Sequence, residues 1–103
     1  MQYLGGKHRL AKRIAAELEA RRPDGARFVE PFCGALNITA AMTGERVAND
    51  ACGPLIVLYH AWIDGWRPPE HVSAELYQET HAKMDPHDPL TAFVGFGCSF
   101  GGK

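Results

Sequence analysis

The sequence predicts an α/β protein of the doubly wound kind, with its parallel sheet incomplete. Three observations support this. From Phe28 to Asp50 the chain reads strand, glycine turn, helix, strand, acid, which is a βαβ half-unit. An amphipathic helical pattern stands in front of that unit. Behind it only helical patterns follow, so the two strands lack the second half of a sheet.

The elements follow in order. "YLGGKHRLAKRI" sets a glycine pair directly before Lys7 and then opens a helix. Leu10, Ile14 and Leu18 recur every four residues beside Ala11 and Ala15, with charges on the other side. That spacing predicts an amphipathic helix of about four turns. Pro23 cannot continue it, and Asp24-Gly25 is a turn pair. "ARFVEPF" predicts a short strand, stopped by Pro31 because proline has no N–H to give a ladder. "CGALNITAAM" passes from a turn at Gly34 into a helix, and "ERVAND" is a second short strand. "GPLIVLYHAWIDGW" places Pro54 at a helix start and Gly65 just past its end. Apolar residues nearly encircle that helix, which predicts deep burial. Ser73 is the N-cap of a polar helix running to about Lys83, with Glu75 in its first turn. Asp88-Pro89 caps one more short helix before the glycine-rich, aromatic "GFGCSFGGK".

At 103 residues the chain is one domain at most, near the low end of what builds its own core. A hydrophobic content of 46% with 22% charged residues places it among ordinary globular proteins. No apolar run approaches the roughly 20 residues of a membrane span. The start also lacks the apolar segment of a secretory signal. The expectation is a cytoplasmic protein with no membrane partner. Cys33, Cys52 and Cys98 form no C-x-x-C pair, which predicts reduced thiols. His8, His60, His71, His81 and His87 fit no zinc spacing, so no metal is expected. The net charge of −1 hides an asymmetry: residues 1–27 hold seven Lys and Arg against three acids, the remainder four against nine. A basic leading segment suits an anionic partner or a solvated helix face.

Ligands of doubly wound sheets sit beyond the carboxyl ends of the strands. Glu30 and Asp50 stand at or just past those two ends. An acid after the second strand can accept the hydroxyl hydrogens of a ribose. A pyrophosphate, however, calls for several glycines and a positive pocket, whereas "EPFCGALN" has one glycine and an acid at its head. A carboxylate there repels phosphate and welcomes a cation. A nucleoside with a positively charged tail fits better, and S-adenosylmethionine is the commonest such molecule. Each acid also has a plainer use, Glu30 as a surface charge and Asp50 as a cap for the helix near Pro54.

"YLGGK", "FVEPFCGALN" and "AND", in this order and spacing, resemble the opening motifs of the Dam-like DNA adenine methyltransferases of bacteria and phages. The resemblance covers roughly residues 2–60. Residues 60–103, with "GWRPPE" and "FVGFGCSFGGK", resemble the start of the DNA-recognition insertion of phage members. It implies a Rossmann-like, S-adenosylmethionine-dependent methyltransferase fold and methyl transfer to the exocyclic amine of adenine in double-stranded DNA. Residues 1–60 would be the N-terminal part of the cofactor domain, and 61–103 the start of the recognition insertion. Tyr3 would lie against the cofactor, and Gly5 and Gly6 would let the backbone pass close to it. Lys7 would reach the cofactor site and approach the target base. Glu30, Pro31, Phe32, Cys33 and Gly34 would form the cofactor turn, with the acid balancing the methionine ammonium. Asp50 would grip the ribose hydroxyls. Ala35 stands where many members carry another glycine.

The chemistry of that family belongs to an Asp-Pro-Pro-Tyr motif, whose acid and carbonyl hold the adenine amine and whose tyrosine stacks on the flipped base. No such motif occurs here; in "DPHDPL" His87 interrupts it and no aromatic follows. No catalytic residue is therefore expected among these residues. The chain reads as the N-terminal part of a larger adenine methyltransferase, inactive alone. The alternative is a stand-alone, non-catalytic binding module that keeps the cofactor half-site.

Overall fold

The glycine turn and its two flanking strands form where the sequence places them. The computed structural model describes residues 3–99. Its order is α1 (Ala11–Arg21), β1 (Phe28–Glu30), α2 (Asn37–Ala41), β2 (Arg46–Ala48), α3 (Gly53–Ile63), α4 (Ala74–Lys83) and α5 (Pro89–Cys98). The strands pair in parallel, Phe28 opposite Arg46, Val29 opposite Val47 and Glu30 opposite Ala48. Packing divides the chain into two units. One is Gly5–Ala51; the other runs from Cys52 onward and takes in Tyr3 and Leu4.

In the first unit α1 packs on α2 around buried Ala15, Ile38 and Met42, joined by Ile14, Phe28 and Ala41. The helix is three turns rather than four, because the residues before Ala11 form a turn in which Leu10 N–H donates to the Lys7 carbonyl at 3.0 Å. Ala11 and Ala15 are buried, while Leu10 and Leu18 stay exposed. Short side chains thus line the buried side of α1, and the leucines flank the contact instead of filling it. The end of α1 is tied to the loop after α2. Glu19 Oε1 accepts both the Thr43 N–H and its hydroxyl at 2.9 Å. Arg22 donates to the Thr43 carbonyl at 2.8 Å. The backbone and hydroxyl bonds from Thr43, helped by Arg22, lower the Glu19 carboxyl below its ordinary value.

Phe28 turns one face of the sheet toward this core. The other face carries Val29 and Val47, which are 55% and 42% exposed. Parallel strands in α/β proteins are usually covered on both faces. A two-strand parallel sheet with one exposed face is compatible with an incomplete α/β layer.

In the second unit α3 and α4 both pack on α5. Leu55 and Leu58 are 0% exposed, and Tyr59, Ala92 and Val94 are also buried. Burial of α3 is one-sided, contrary to its all-round apolar pattern: His60 is exposed and Ile63 is 79% exposed. Ser73 caps α4 by accepting the Leu76 N–H at 3.1 Å, and Asp88 caps α5 through Leu90 and Thr91. The last helix runs on through Gly95 and Gly97, into the glycine-rich segment expected to follow it. Burial of Ala92 and Val94 offsets the helix cost of about 1 kcal/mol for each glycine. Arg67 of "GWRPPE" closes α3, donating to the carbonyls of Trp62 at 3.1 Å and Trp66 at 2.8 Å. Residues 100–103, the end of the second resemblance, lie outside the described residues.

Candidate functional site

The site grows from the carboxyl ends of β1 and β2. Proline at 31 ends β1, and the chain must then climb into α2 within six residues. It does so through two left-handed positions, Gly34 at φ 47° and Leu36 at φ 60°. Glycine accepts that conformation without cost, whereas leucine does not. Backbone bonds fix the turn to the end of β2: Asn49 N–H donates to the Glu30 carbonyl and Cys33 N–H to the Asn49 carbonyl, both at 2.8 Å. Asp50 Oδ2 accepts the Gly34 N–H at 2.9 Å. The acid after the second strand is thereby drawn onto the glycine turn after the first.

Glu30 has a second attachment. The N-cap of α2, Leu36, offers no side-chain acceptor. Glu30 Oε2 supplies one from the strand, accepting the Thr39 N–H at 3.1 Å and also the Thr39 hydroxyl. It therefore satisfies one of the N–H groups that every helix start leaves unpaired. The plainer reading of Glu30 does not describe what is found. Glu30 is half-buried and bonded rather than a loose surface charge, and the N-cap of α3 is Cys52.

Cys33 lies between the two acids and is 4% exposed. Burial raises its thiol above the ordinary value, and the Asp50 and Glu30 charges add to the effect. One buried sulfur thus senses both carboxylates. Two of the N–H groups that such a turn could offer a phosphate, those of Cys33 and Gly34, already bond to Asn49 and Asp50.

The structure therefore brings together Glu30, Pro31, Phe32, Cys33, Gly34 and Asp50. Phe32 is 76% exposed at the turn's outer side. Gly6 and Lys7 are exposed in the lead-in to α1, and Lys7 makes no ion pair among the described residues. Gly5, at φ 80°, needs glycine for its conformation rather than for space, because nothing lies within 4 Å of an added Cβ. Tyr3 belongs to the other unit, its ring 5.7 Å from that of Phe96 at 55°. Sequence reasoning missed Thr39 and Asn49. The signal for Thr39 was a helix start without its own cap, following an acid; Asn49 acts through its backbone and left none.

No group of His, Cys, Asp and Glu among the described residues could hold a metal ion. No helix among them is long and apolar enough to cross a membrane. In a comparison with family models, residues 3–88 match the one described as D12 class N6 adenine-specific DNA methyltransferase. No curated protein matches the chain in sequence.

Proposed function

The chain belongs to the D12 class N6 adenine-specific DNA methyltransferases, and from that premise we propose that it carries the S-adenosylmethionine half-site of such an enzyme. In this reading residues 1–60 are the N-terminal part of a Rossmann-like cofactor domain, and 61–103 open the DNA-recognition insertion. Duplex DNA is the partner and the adenine exocyclic amine the methyl acceptor. One observation carries the cofactor reading: two carboxylates meet at the carboxyl ends of adjacent parallel strands, over a turn whose Cys33 and Gly34 N–H groups are engaged internally. That donor set disfavours a pyrophosphate and fits a nucleoside with a cationic tail. Glu30 would face the methionine ammonium and Asp50 the ribose hydroxyls. Gly6 and Lys7 would line the approach, with Pro31, Phe32, Cys33 and Gly34 forming the floor. When bound, the cofactor supplies an activated methyl group; these residues bind and orient it.

These 103 residues hold no Asp-Pro-Pro-Tyr, which favours a second reading, a binding module without transfer chemistry. One pair of measurements tests both. Calorimetric titration with S-adenosylmethionine should give saturable one-to-one binding, and its absence would remove the cofactor reading. Tritiated methyl transfer to duplex DNA should be nil with the 103-residue chain; incorporation would overturn the assignment of the chemistry to a motif this sequence lacks.

A further inference from the structure

We propose that Thr39 is a positioning residue for the cofactor: it holds Glu30 Oε2 so that the other carboxylate oxygen is presented to the methionine ammonium. This rests on the cofactor reading above and adds to it a residue that no motif marks.

Thr39 gives Glu30 Oε2 two donors, its backbone N–H at 3.1 Å and its hydroxyl. Helix capping needs only the N–H. The hydroxyl is a second bond to the same oxygen, and it fixes the carboxylate's orientation as well as its position. Among the described residues Glu30 Oε1 accepts no hydrogen bond and Glu30 forms no ion pair. Both donors to Oε2 are neutral, so they orient the carboxylate without cancelling its charge. A lysine or arginine in the place of Thr39 would orient it and neutralise it together. Glutamate is among the side chains that lose the most rotamer freedom when ordered. A Glu30 already fixed by Thr39 avoids much of that loss when a cation arrives.

The test uses three ligands that differ at one end. S-adenosylmethionine and S-adenosylhomocysteine carry the amino-acid ammonium; 5′-methylthioadenosine has the same nucleoside and thioether without it. The 103-residue chain, Thr39→Val and Thr39→Ser are titrated with each by calorimetry, and the unfolding midpoint of each protein is recorded. Valine keeps the shape and the backbone N–H, so the cap on α2 remains. Thr39→Val should weaken both ammonium-bearing ligands about tenfold and leave methylthioadenosine unchanged, the effect of one hydrogen bond to a charged group. Thr39→Ser, which keeps a hydroxyl, should bind like the parent. Equal losses for all three ligands would show that Thr39 only maintains the fold, and unchanged binding would show that its hydroxyl orients nothing; either overturns the proposal alone. A parent chain that binds none of the three overturns the cofactor reading and this inference with it.

Discussion

Replacing Asp50 separates two jobs that the proposed function gives to one carboxylate. The first is structural. Oδ2 accepts the half-buried Gly34 N–H at 2.9 Å and fastens the turn to the end of β2. A hydrogen bond to a charged group is worth about 1.5–3 kcal/mol, and partial exposure puts this one at the lower end. Asp50→Ala should therefore cost about 1.5 kcal/mol of stability. Asparagine retains a carbonyl acceptor for Gly34, so Asp50→Asn should stay within about 0.5 kcal/mol of the parent, since a neutral bond replaces a charge-assisted one. The second job is the ribose. An asparagine that turns its carbonyl to Gly34 turns its NH₂ toward the ligand, and the charge is gone. One or two charge-assisted bonds to the hydroxyls are lost, which at about 1.4 kcal/mol per decade predicts roughly ten- to hundredfold weaker S-adenosylmethionine binding. Denaturant unfolding reads the first effect and titration calorimetry the second. Asp50→Asn with parental affinity would refute the ribose assignment. An asparagine variant as unstable as the alanine one would refute the role given to the Gly34 bond.

Other expectations follow from the same geometry. Glu19 titrates lower in the folded chain than in the unfolded one, so its contribution is present above the ordinary carboxyl range near pH 4.3 and is lost as pH falls through the folded value. A thermal-midpoint series from pH 7 to 3 should drop less steeply in Glu19→Gln than in the parent. The buried, raised Cys33 thiol should resist iodoacetamide at neutral pH while exposed Cys98 is alkylated; mass mapping of the labelled peptides reads both. Leu58→Ala, at a position with no exposure, should cost about 2–5 kcal/mol in denaturant unfolding.

What the sequence made legible was local chemistry. Ser73 and Asp88 cap the helices they precede, Pro54 stands in the first turn of α3, and Gly34 takes a left-handed turn. Each of these depends on a residue and its immediate neighbours. The rest depends on what lies across space. Glu19 reaches Thr43 across 24 positions, and Glu30 reaches Thr39 over an intervening turn. Arg67, within the "GWRPPE" stretch that resembles the start of a recognition insertion, bonds to the end of its own helix. Periodicity says that α3 is apolar all round but cannot say which side a partner helix will cover, so exposed Ile63 was not foreseeable. The site shows the same split. The positions of Glu30 and Asp50 at the strand ends could be read from strand, turn and spacing; that each bonds to its own chain could not.

Those internal bonds at first count against a binding role, since a carboxylate that caps a helix or clamps a turn already has a use. The kind of partner each acid has bears on the proposed role. Glu17, Glu19, Glu45 and Glu79 each pair with an arginine or lysine. Glu30 is held only by the N–H and hydroxyl of Thr39 among the described residues, and the Gly34 N–H that Asp50 accepts is also uncharged. Neutral donors fix a carboxylate without discharging it. Burial raises the Cys33 thiol, and the charges of Asp50 and Glu30 both add to that effect at the turn. Both acids sit at or just past strand ends, where α/β sheets take their ligands. The proposed site for a cationic nucleoside needs a fixed carboxylate that keeps its charge, and the neutral donors of Thr39 provide that for Glu30.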